Sequence, residues 1–440
     1  MKLSTKLLKS RFKDHYKLLV CGSGAGGSSI ASYFSRCNFD SAIIEPNEEH
    51  HYQPGYTLLA SGLVEAKKLV RKRQDYLPKG VDWYKNSVEK FHPKENAVEL
   101  NDGVKIHYDY LVIATGIQLR YDLGLSEAFD TPGVCSIYRY DLAKKTWSEL
   151  RTFAGGTALF TYPNTPIKCA GAPQKIAYLA EDIFRERKVR DKSVIIYNTT
   201  IGKIFGVEKY RKVLDKIIQE KGIIFNGRHN LFKVDAKKRI AYFEILDDSG
   251  NSTGKQEEIK FEFLHVAPPC SPVLALRNLA ATGDPLTDEK GWVDVSHKTL
   301  QSKTYPNIFA LGDCISAPCG KTAAAVSSQF NIVKHNLLNF MNQKPLNHEY
   351  DGYASCPLLV DRKHVVLAEF NYKGPLETLP FNQAKPRYIQ YLMKAYLMPF
   401  IYWRLLLKGR WNGPSTVRKL LHLGFGNRLQ VVYKLMNTKK

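Results

Sequence analysis

Three glycines near the N-terminus have the spacing of a phosphate-binding turn. Gly22, Gly24 and Gly27 follow the apolar run YKLLVC and open a stretch with the character of a helix. The first glycine would permit a tight turn, the second would let the backbone approach a pyrophosphate, and the third would let helix and strand pack closely. Glu45 ends the next apolar run, where a carboxylate can accept hydrogen bonds from ribose hydroxyls. The pattern predicts a dinucleotide site.

Cys169 shows the clearest signs of chemical reactivity. It precedes a predicted helix over about 174–185 and stands next to Lys168. A helix N-terminus and a neighbouring cation both lower the pKa of a thiol, so we expect Cys169 to be a nucleophile. A redox partner is then needed, and Cys356, in the turn-like YASCPLL, is the best candidate. The eight cysteines lack the spacing of a zinc site or of a secreted disulfide framework, so no metal is expected.

Two strand–turn–helix–strand units must position these residues. The first covers about 16–46 and contains the glycines, whereas the second starts with the strand at 155–162 and contains Cys169. Short apolar strands that alternate with helices are typical of α/β proteins with parallel sheets. In the second unit, two prolines and Lys168 stand where a phosphate-binding loop would need glycines. Close approach of a nicotinamide dinucleotide is therefore not expected there.

Two further motifs indicate which dinucleotide binds. YDYLVIATG ends at Thr115 and Gly116, and YPNIFALGD ends at Asp313. This order of motifs resembles the flavoproteins related to glutathione reductase, which have two tandem Rossmann-like domains. The resemblance implies FAD, with Asp313 on its ribityl chain and a helix from about Lys321 directed at the flavin. Lys321 would then stabilise negative charge on the reduced flavin. The alternative is that Asp313 only caps a helix.

Longer segments carry a closer resemblance: HYQPGYTLLASG, FTYPNTPIKCAGAPQKIAYLAED, IGKIFGVEKY, LGDCISAPCGKTAAAV, YDGYASCPLLV and YLMKAYLMPFIYW. Over about residues 15–426 the chain is similar to the sulfide:quinone oxidoreductases of the mitochondrial, eukaryotic branch. The resemblance implies that Cys169 and Cys356 form the redox pair. It also places Gln53 at the FAD, and Phe370 and Tyr372 at a quinone pocket. Cys135 falls in no matching motif and receives no role.

The reaction implied by the resemblance starts with sulfide attack on a disulfide or trisulfide between the two cysteines. Two electrons would pass to FAD and on to a ubiquinone-type quinone, and the sulfur would pass to glutathione or sulfite. The expected location is the mitochondrial inner membrane, with a homodimer as one possible state. Two alternatives share the fold: a type II NADH:quinone oxidoreductase, and the flavoprotein subunit of a flavocytochrome-type sulfide dehydrogenase.

The C-terminal segment combines positive charge with bulky apolar residues. Lys and Arg outnumber Asp and Glu by 64 to 42, and residues 378–440 hold 12 of these cations and no acid. Apolar residues recur there at helical spacing: Tyr388, Leu392, Tyr396, Phe400 and Trp403, continued by Leu420, Leu421 and Leu423. With Lys394 and Arg404 between them, they predict an amphipathic helix on anionic lipid, kinked at Pro399, rather than a nucleic-acid groove. The alternative is packing on its own domain or on a dimer partner.

Length and composition set the domain organisation. The 440 residues, 44% hydrophobic and 24% charged, are typical of a globular chain and exclude a disordered one. We expect a basic leader at 1–14, as in a transit-peptide remnant or a solvated tail. The FAD domain is predicted at 15–125 and 290–345, and a second Rossmann-like domain without the fingerprint at 126–289. Residues 346–440 would form the region for the redox cysteine, the quinone and the membrane.

Overall fold

The computed structural model describes residues 13–121 and 125–422. Nearly all of the predicted leader, and the chain from Leu423 onward, lie outside these ranges. Within them, no helix combines the length and the apolar character needed to cross a bilayer.

The first sheet carries the glycine turn, and it is mixed because Ala97–Leu100 pairs antiparallel with both Lys105–Ile113 and Val88–His92. Its central strand, His15–Cys21, pairs in parallel with Ser41–Ile44 and with Lys105–Ile113. Because this strand is covered on both faces, it is apolar almost throughout rather than alternating. The strand Ile308–Ala310 also pairs with Lys105–Ile113, so the chain returns to this sheet after forming the second one. The sheet also contains Val81–Tyr84, Val88–His92 and Ala97–Leu100.

The second sheet is centred on Gly156–Tyr162. This strand lies between Ser193–Thr199 and Phe263–His265, and the outer strands are Val134–Cys135 and Ile224–Gly227. Two sheets of this kind confirm the predicted α/β class with Rossmann-like units. The smaller sheets are antiparallel: His229–Asp235 with Ile240–Leu246 and Ser252–Lys260; Ala354–Leu359 with Val365–Asn371 and Gly374–Leu376; Glu49–His51 with Val70–Lys72; and Gln118–Leu119 with Cys270–Ser271.

Helices follow the strands and place their N-termini at the site. The helix Ala25–Arg36 begins directly after Gly24, and the helix Ala172–Glu186 begins three residues after Cys169. The other helices are Tyr56–Leu59, Tyr140–Thr152, Glu208–Glu220, Leu274–Ala281, Ala323–Met341 and 415–422. Single 3₁₀ turns occupy Gln53–Gly55, Ala66–Leu69, Arg73–Asp75, Pro93–Glu95, Glu127–Asp130 and Arg190–Lys192.

Residues 388–406 form one helical segment, which we call the tail helix. It consists of Tyr388–Leu392, Met393–Leu397, Met398–Phe400 and Ile401–Leu406, and the second and fourth of these are wide i→i+5 turns. Side chains of the helix Ala25–Arg36 bind the carbonyls at its end: Ser29 donates to Leu406 (2.8 Å), Ser32 to Leu407 (2.7 Å), and Arg36 to Lys408 and Gly409. The tail helix is therefore fixed to the dinucleotide-binding unit.

The outer face of the tail helix differs from the predicted one. Tyr396 and Phe400 are 67% and 57% exposed, as the spacing predicts, but Trp403 and Lys394 are only 3% and 4% exposed. Trp403 packs edge-on against His50, with ring centroids 5.5 Å apart. The prediction was wrong for Trp403 because the i→i+5 turn Ile401–Leu406 winds more slowly than the 3.6-residue period that it assumed. It was wrong for Lys394 because this residue lies two positions before Tyr396, about 200° away around a helix, and so faces the opposite side.

Candidate active site

A cavity of about 1050 Å³ lies where both sheets and the tail helix meet. The structure brings most of the predicted site residues to its wall: Gly22, Gly24, Glu45, Gln53, Thr115, Gly116, Cys169, Asp313 and Lys321. Residues from the tail helix and from 414–421 complete the wall. One space therefore connects the glycine turn, a candidate nucleophile and the C-terminal segment.

The three glycines of the turn differ in what a Cβ at each position would contact. Gly22 has φ +95°, and a Cβ on it would meet the carbonyl oxygen of Ala114 at 2.5 Å. A Cβ on Gly27 would meet the Gly22 carbonyl oxygen at 1.8 Å, so only glycine permits this helix–strand approach. A Cβ on Gly24 would meet nothing within 4 Å. The open space at Gly24 faces the cavity, which is where a pyrophosphate could approach the backbone.

Glu45 is held in place by its neighbours and borders the cavity. Its Oε2 accepts a hydrogen bond from the backbone N–H of Ser23 at 2.9 Å, and its Oε1 accepts one from the Asn47 side chain at 2.8 Å. Arg73, which no motif in the sequence indicates, lies 3.8 Å from Glu45 and donates to the Glu49 carbonyl at 2.7 Å. Arg73 therefore helps to fix Glu45 and the backbone that follows it at the cavity wall.

Asp313 and Lys321, for which the motifs predict contact with the flavin, both line the cavity. Lys321 Nζ donates to the backbone carbonyl of Asp313 at 2.6 Å. Burial raises the pKa of Asp313, while the charge of Lys321 opposes that shift. The helix begins at Ala323, two residues later than predicted, and Thr322 is its cap because its Oγ1 accepts from the Ala325 N–H at 3.1 Å. The alternative of Asp313 as a helix cap is therefore wrong.

The structure brings Cys169 and Cys356 together from positions 187 residues apart, with their sulfurs separated by 3.5 Å. Cys169 sits in the turn after the strand Gly156–Tyr162, with φ +45°, a strained value for a residue with a side chain. Its backbone N–H donates to the Lys321 carbonyl at 2.8 Å, which ties the turn at Cys169 to the segment before the helix Ala323–Met341. Cys356 comes from the strand Ala354–Leu359 and is 3% exposed.

The pKa values of the two thiols shift in opposite directions, although the charge of Lys175 acts to lower both. A hydrogen bond from Cys356 and the positive charge of Lys175 hold the pKa of Cys169 well below its usual range, although burial opposes this. Lys175 Nζ lies 3.2 Å from the Cys169 sulfur. The hydrogen bond to Cys169 and burial raise the pKa of Cys356 well above its ordinary value. Cys169 is therefore the thiolate of the pair and Cys356 the thiol.

The cation beside the thiolate is not the one predicted from the sequence. Lys168 adjoins Cys169 in the chain, but its Nζ donates to Gln53 Oε1 at 2.9 Å. Lys175 instead reaches back from the first turns of the helix Ala172–Glu186 and is only 2% exposed. The signal that could have found it is a lysine on the otherwise apolar inner face of that helix.

Lys394 is a second cation at the site, although its spacing predicted a place among the cations of a lipid-binding helix. It borders the cavity from the tail helix, and burial together with the charge of Lys175 lowers its pKa to about 7. Its charge also contributes to the low pKa of Cys169. Helical spacing could have separated it from Arg404, because Lys394 lies opposite Tyr396 whereas Arg404 lies on the same side as Phe400.

Other residues singled out in the sequence lie outside this wall. Phe370 packs against the ring of Phe205, and Tyr372 is 47% exposed, and neither borders the cavity within the described part of the chain. The structure therefore does not bring this pair to the cavity wall, and their contact with a quinone stays a prediction. Burial raises the pKa of the Cys135 thiol to about 12, in keeping with a packing role.

Comparisons with known proteins assign the family. Residues 16–163 match the family described as pyridine nucleotide-disulphide oxidoreductase. The chain is 47% identical to the mitochondrial sulfide:quinone oxidoreductase of Mus musculus, over 94% of this chain and 91% of that one. The chain belongs to the sulfide:quinone oxidoreductase family. The family member from Dictyostelium discoideum is 40% identical with the same coverage. The structure of the sulfide:quinone oxidoreductase from Aquifex aeolicus has the same fold, with a TM-score of 0.77 at 19% identity over 93% of this chain and 95% of that one.

As a sulfide:quinone oxidoreductase family member, the chain is an FAD-dependent oxidoreductase. Its cavity fits that cofactor. The space beside Gly24 is open because glycine has no Cβ, and this leaves room for a pyrophosphate, while Glu45 is held at the cavity wall. The glycine turn would hold the pyrophosphate and Glu45 the ribose. The isoalloxazine end would lie near Asp313, Lys321 and Cys169.

Proposed function

We propose that this chain oxidises sulfide at Cys169 and Cys356 and delivers the electrons through FAD to a quinone. The observation that carries the proposal is the 3.5 Å approach of the Cys356 sulfur to the sulfur of Cys169, which lines the same cavity as the glycine turn. The names of the relatives support sulfide and quinone as the substrates. The turn after Gly156–Tyr162 does not have the glycines that an NADH-oxidising enzyme would need, which favours sulfide over NADH as the electron donor.

The difference in thiol pKa decides which sulfur is attacked. In thiol–disulfide exchange the sulfur with the lower thiol pKa leaves faster. Cys169, stabilised by Lys175, is the better leaving group, so hydrosulfide attacks the Cys356 sulfur. The Cys169–Cys356 bond breaks, Cys356 takes the incoming sulfur as a persulfide, and Cys169 departs as a thiolate. If a sulfur already bridges the pair, the 3.5 Å separation suits it, because two S–S bonds meeting at a bent sulfur span about 3.3 Å.

Sulfur and electrons then leave by separate routes. A small nucleophile such as glutathione or sulfite takes the outer sulfur of the persulfide and leaves Cys356 as a thiol. Bound FAD supplies the two-electron acceptor that lets the cysteines close again to a disulfide, and it passes the pair to a quinone. Lys175 holds the Cys169 thiolate at the cavity wall during this step, and Lys321 adds positive charge beside it.

We place the quinone entrance at the tail helix rather than at Phe370 and Tyr372. Leu397, Met398 and Ile401 border the cavity, and Leu397 is also 45% exposed, so an apolar path leads from the cavity to the surface. Tyr396 and Phe400 beside it would enter the lipid headgroup region. We propose peripheral attachment to the mitochondrial inner membrane, where the quinone is dissolved.

Cysteine replacement tests the proposal directly. Cys169→Ser and Cys356→Ser should each retain FAD but lose sulfide-dependent quinone reduction, by about 10³-fold or more, because neither can form the disulfide. Stopped-flow absorbance should show rapid bleaching of the wild-type flavin by sulfide and none by NADH. Cys37→Ser, at an exposed thiol, is the control and should behave as wild type. Full turnover in either active-site variant would falsify the assignment of the pair.

A further inference from the structure

A second cavity, of about 760 Å³, lies on the outer surface beside the tail helix. Its walls come from the segment 71–76 and from the end of the tail helix and the residues that follow it. Its charged residues are five cations and one carboxylate: Arg71, Lys72, Arg404, Lys408, Arg410 and Asp75. We call this cavity the basic cleft.

The cations of the basic cleft lack counter-ions of their own. Within the described ranges, none of the five lies within ion-pair distance of a carboxylate. The Arg71 guanidinium instead lies over the ring of Trp403, 4.6 Å from its centroid, and Lys408 Nζ lies 5.1 Å from the Tyr76 centroid. Burial and the charges of Arg410 and Arg404 lower the pKa of Lys408. The five positive charges therefore repel one another, and a bound anion would reduce this repulsion.

The position of the basic cleft indicates where that anion comes from. Phe400, 57% exposed on the outer face of the tail helix, is also part of the cleft wall. Tyr396, one turn away on the same face, is 67% exposed. If this apolar face enters the bilayer, the cations lie beside it at the level of the lipid phosphates.

We propose that the basic cleft binds the phosphate group of an anionic phospholipid. Guanidinium groups suit this ligand because they bind phosphate oxygens in pairs. A soluble phosphate ester shares the headgroup chemistry, but the apolar wall at Phe400 favours a ligand with acyl chains. The inference rests on the membrane attachment proposed above and names the lipid class that this attachment selects.

The test removes charge from the cleft and, separately, from a remote surface. Lys72→Gln/Arg404→Gln is compared in the FAD-loaded enzyme with Lys237→Gln/Lys255→Gln, which removes two exposed cations from the second domain. Co-sedimentation is measured with vesicles of phosphatidylcholine alone, mixed with phosphatidylglycerol, and mixed with cardiolipin at equal anionic charge. We expect the cleft variant to lose about 30-fold in partitioning to both anionic vesicles, and the control about threefold or less. Both should bind pure phosphatidylcholine vesicles as wild type does.

Each outcome separates the cleft from the rest of the mechanism. Equal losses in the two variants would mean that diffuse charge attracts the protein, and would overturn the headgroup site. Release of the wild type from anionic vesicles by millimolar glycerophosphoglycerol, at constant ionic strength, would support the site. Tight binding of that soluble ester with no preference for anionic vesicles would assign the cleft to a soluble phosphate instead. Stopped-flow bleaching of the flavin by sulfide is recorded in parallel, and its absence in the wild type would refute the proposed function, whatever the vesicles show.

Discussion

The two turns at the cavity wall follow equivalent strands but present different groups to the cavity. After His15–Cys21, three glycines keep side chains away, so that the backbone and a helix N-terminus face the cavity. After Gly156–Tyr162, a longer turn places the side chain of Cys169 at the wall of the same cavity. The comparison teaches that a strand–turn–helix unit can bind a phosphate or hold a nucleophile, and that the residues of the turn decide which.

The largest effect is expected at the first turn, for Gly27→Ala. Its Cβ would lie 1.8 Å from the Gly22 carbonyl oxygen, so the helix must separate from the strand. We expect a loss of about 3 kcal/mol or more of unfolding free energy together with loss of bound FAD, measured by thermal unfolding and flavin absorbance. Gly24→Ala, whose Cβ meets nothing within 4 Å, should keep the stability of the FAD-free protein and lose only FAD affinity. Normal stability and flavin content in Gly27→Ala would contradict this account.

The same type of substitution in the second turn should separate chemistry from cofactor binding. A Cβ at Gly171 would lie 2.7 Å from the Cys356 sulfur, so Gly171→Ala should displace that thiol. We expect flavin content to be unchanged and the rate of flavin bleaching by sulfide to fall about 100-fold, because displacements of about 1 Å have effects of that size. A parallel loss of FAD would show that the two turns are not independent.

Lys175→Met should raise the pKa of Cys169, because it removes the cation 3.2 Å from the sulfur. Once that pKa exceeds the pH of the experiment, alkylation of the reduced enzyme by iodoacetamide should slow, since the thiolate fraction falls about tenfold with every further unit of pKa. Lys168→Met is the matched control, since that lysine donates to Gln53 and not to the thiol. If alkylation slowed equally in both variants, Lys168 would lower the pKa of Cys169 as much as Lys175 does, and the assignment to Lys175 would be wrong.

The smallest effect is expected from Lys394, whose pKa is about 7. As the pH rises through that value the ammonium loses its proton, the pKa of Cys169 rises, and its thiolate becomes a better nucleophile. The alkylation rate of the reduced enzyme should therefore show a step of about twofold near neutral pH. Lys394→Met should remove the step, and a step of unchanged size would assign it to another group.

The first turn could be predicted from local sequence, whereas the second could be predicted only in part. A Cβ on Gly27 would meet the Gly22 backbone in the same strand–turn–helix unit, whereas a Cβ on Gly22 would meet Ala114 after another strand; the spacing of the motif is nevertheless enough to identify both glycines. Cys169 could be singled out by its neighbours, but its partner, 187 residues away, was only the best candidate among the other cysteines until the family resemblance implied the pairing. Lys175, the cation that lowers its pKa, was missed because Lys168 adjoins Cys169 in the chain, whereas Lys175 lies six positions later in the helix Ala172–Glu186.

The tail helix shows a second reason for failure. Its apolar spacing correctly predicted the exposure of Tyr396 and Phe400, but a regular 3.6-residue period cannot anticipate where i→i+5 turns occur. The second of those turns brings Trp403 beneath the surface, whereas Lys394 borders the cavity because it lies on the side of the helix opposite Tyr396. Helical periodicity is a good guide to which residues are apolar and a poor guide to angular position after such a turn.

The hydrogen bonds from Ser29 and Ser32 to the last carbonyls of the tail helix constrain its length. Inserting one residue between Tyr388 and Leu406 would rotate everything on one side of the insertion by about 100° relative to the other. The aromatic side chains would then turn inward, or the serines would lose their acceptors. Insertions and deletions should therefore be tolerated far less in this stretch than point substitutions across its surface.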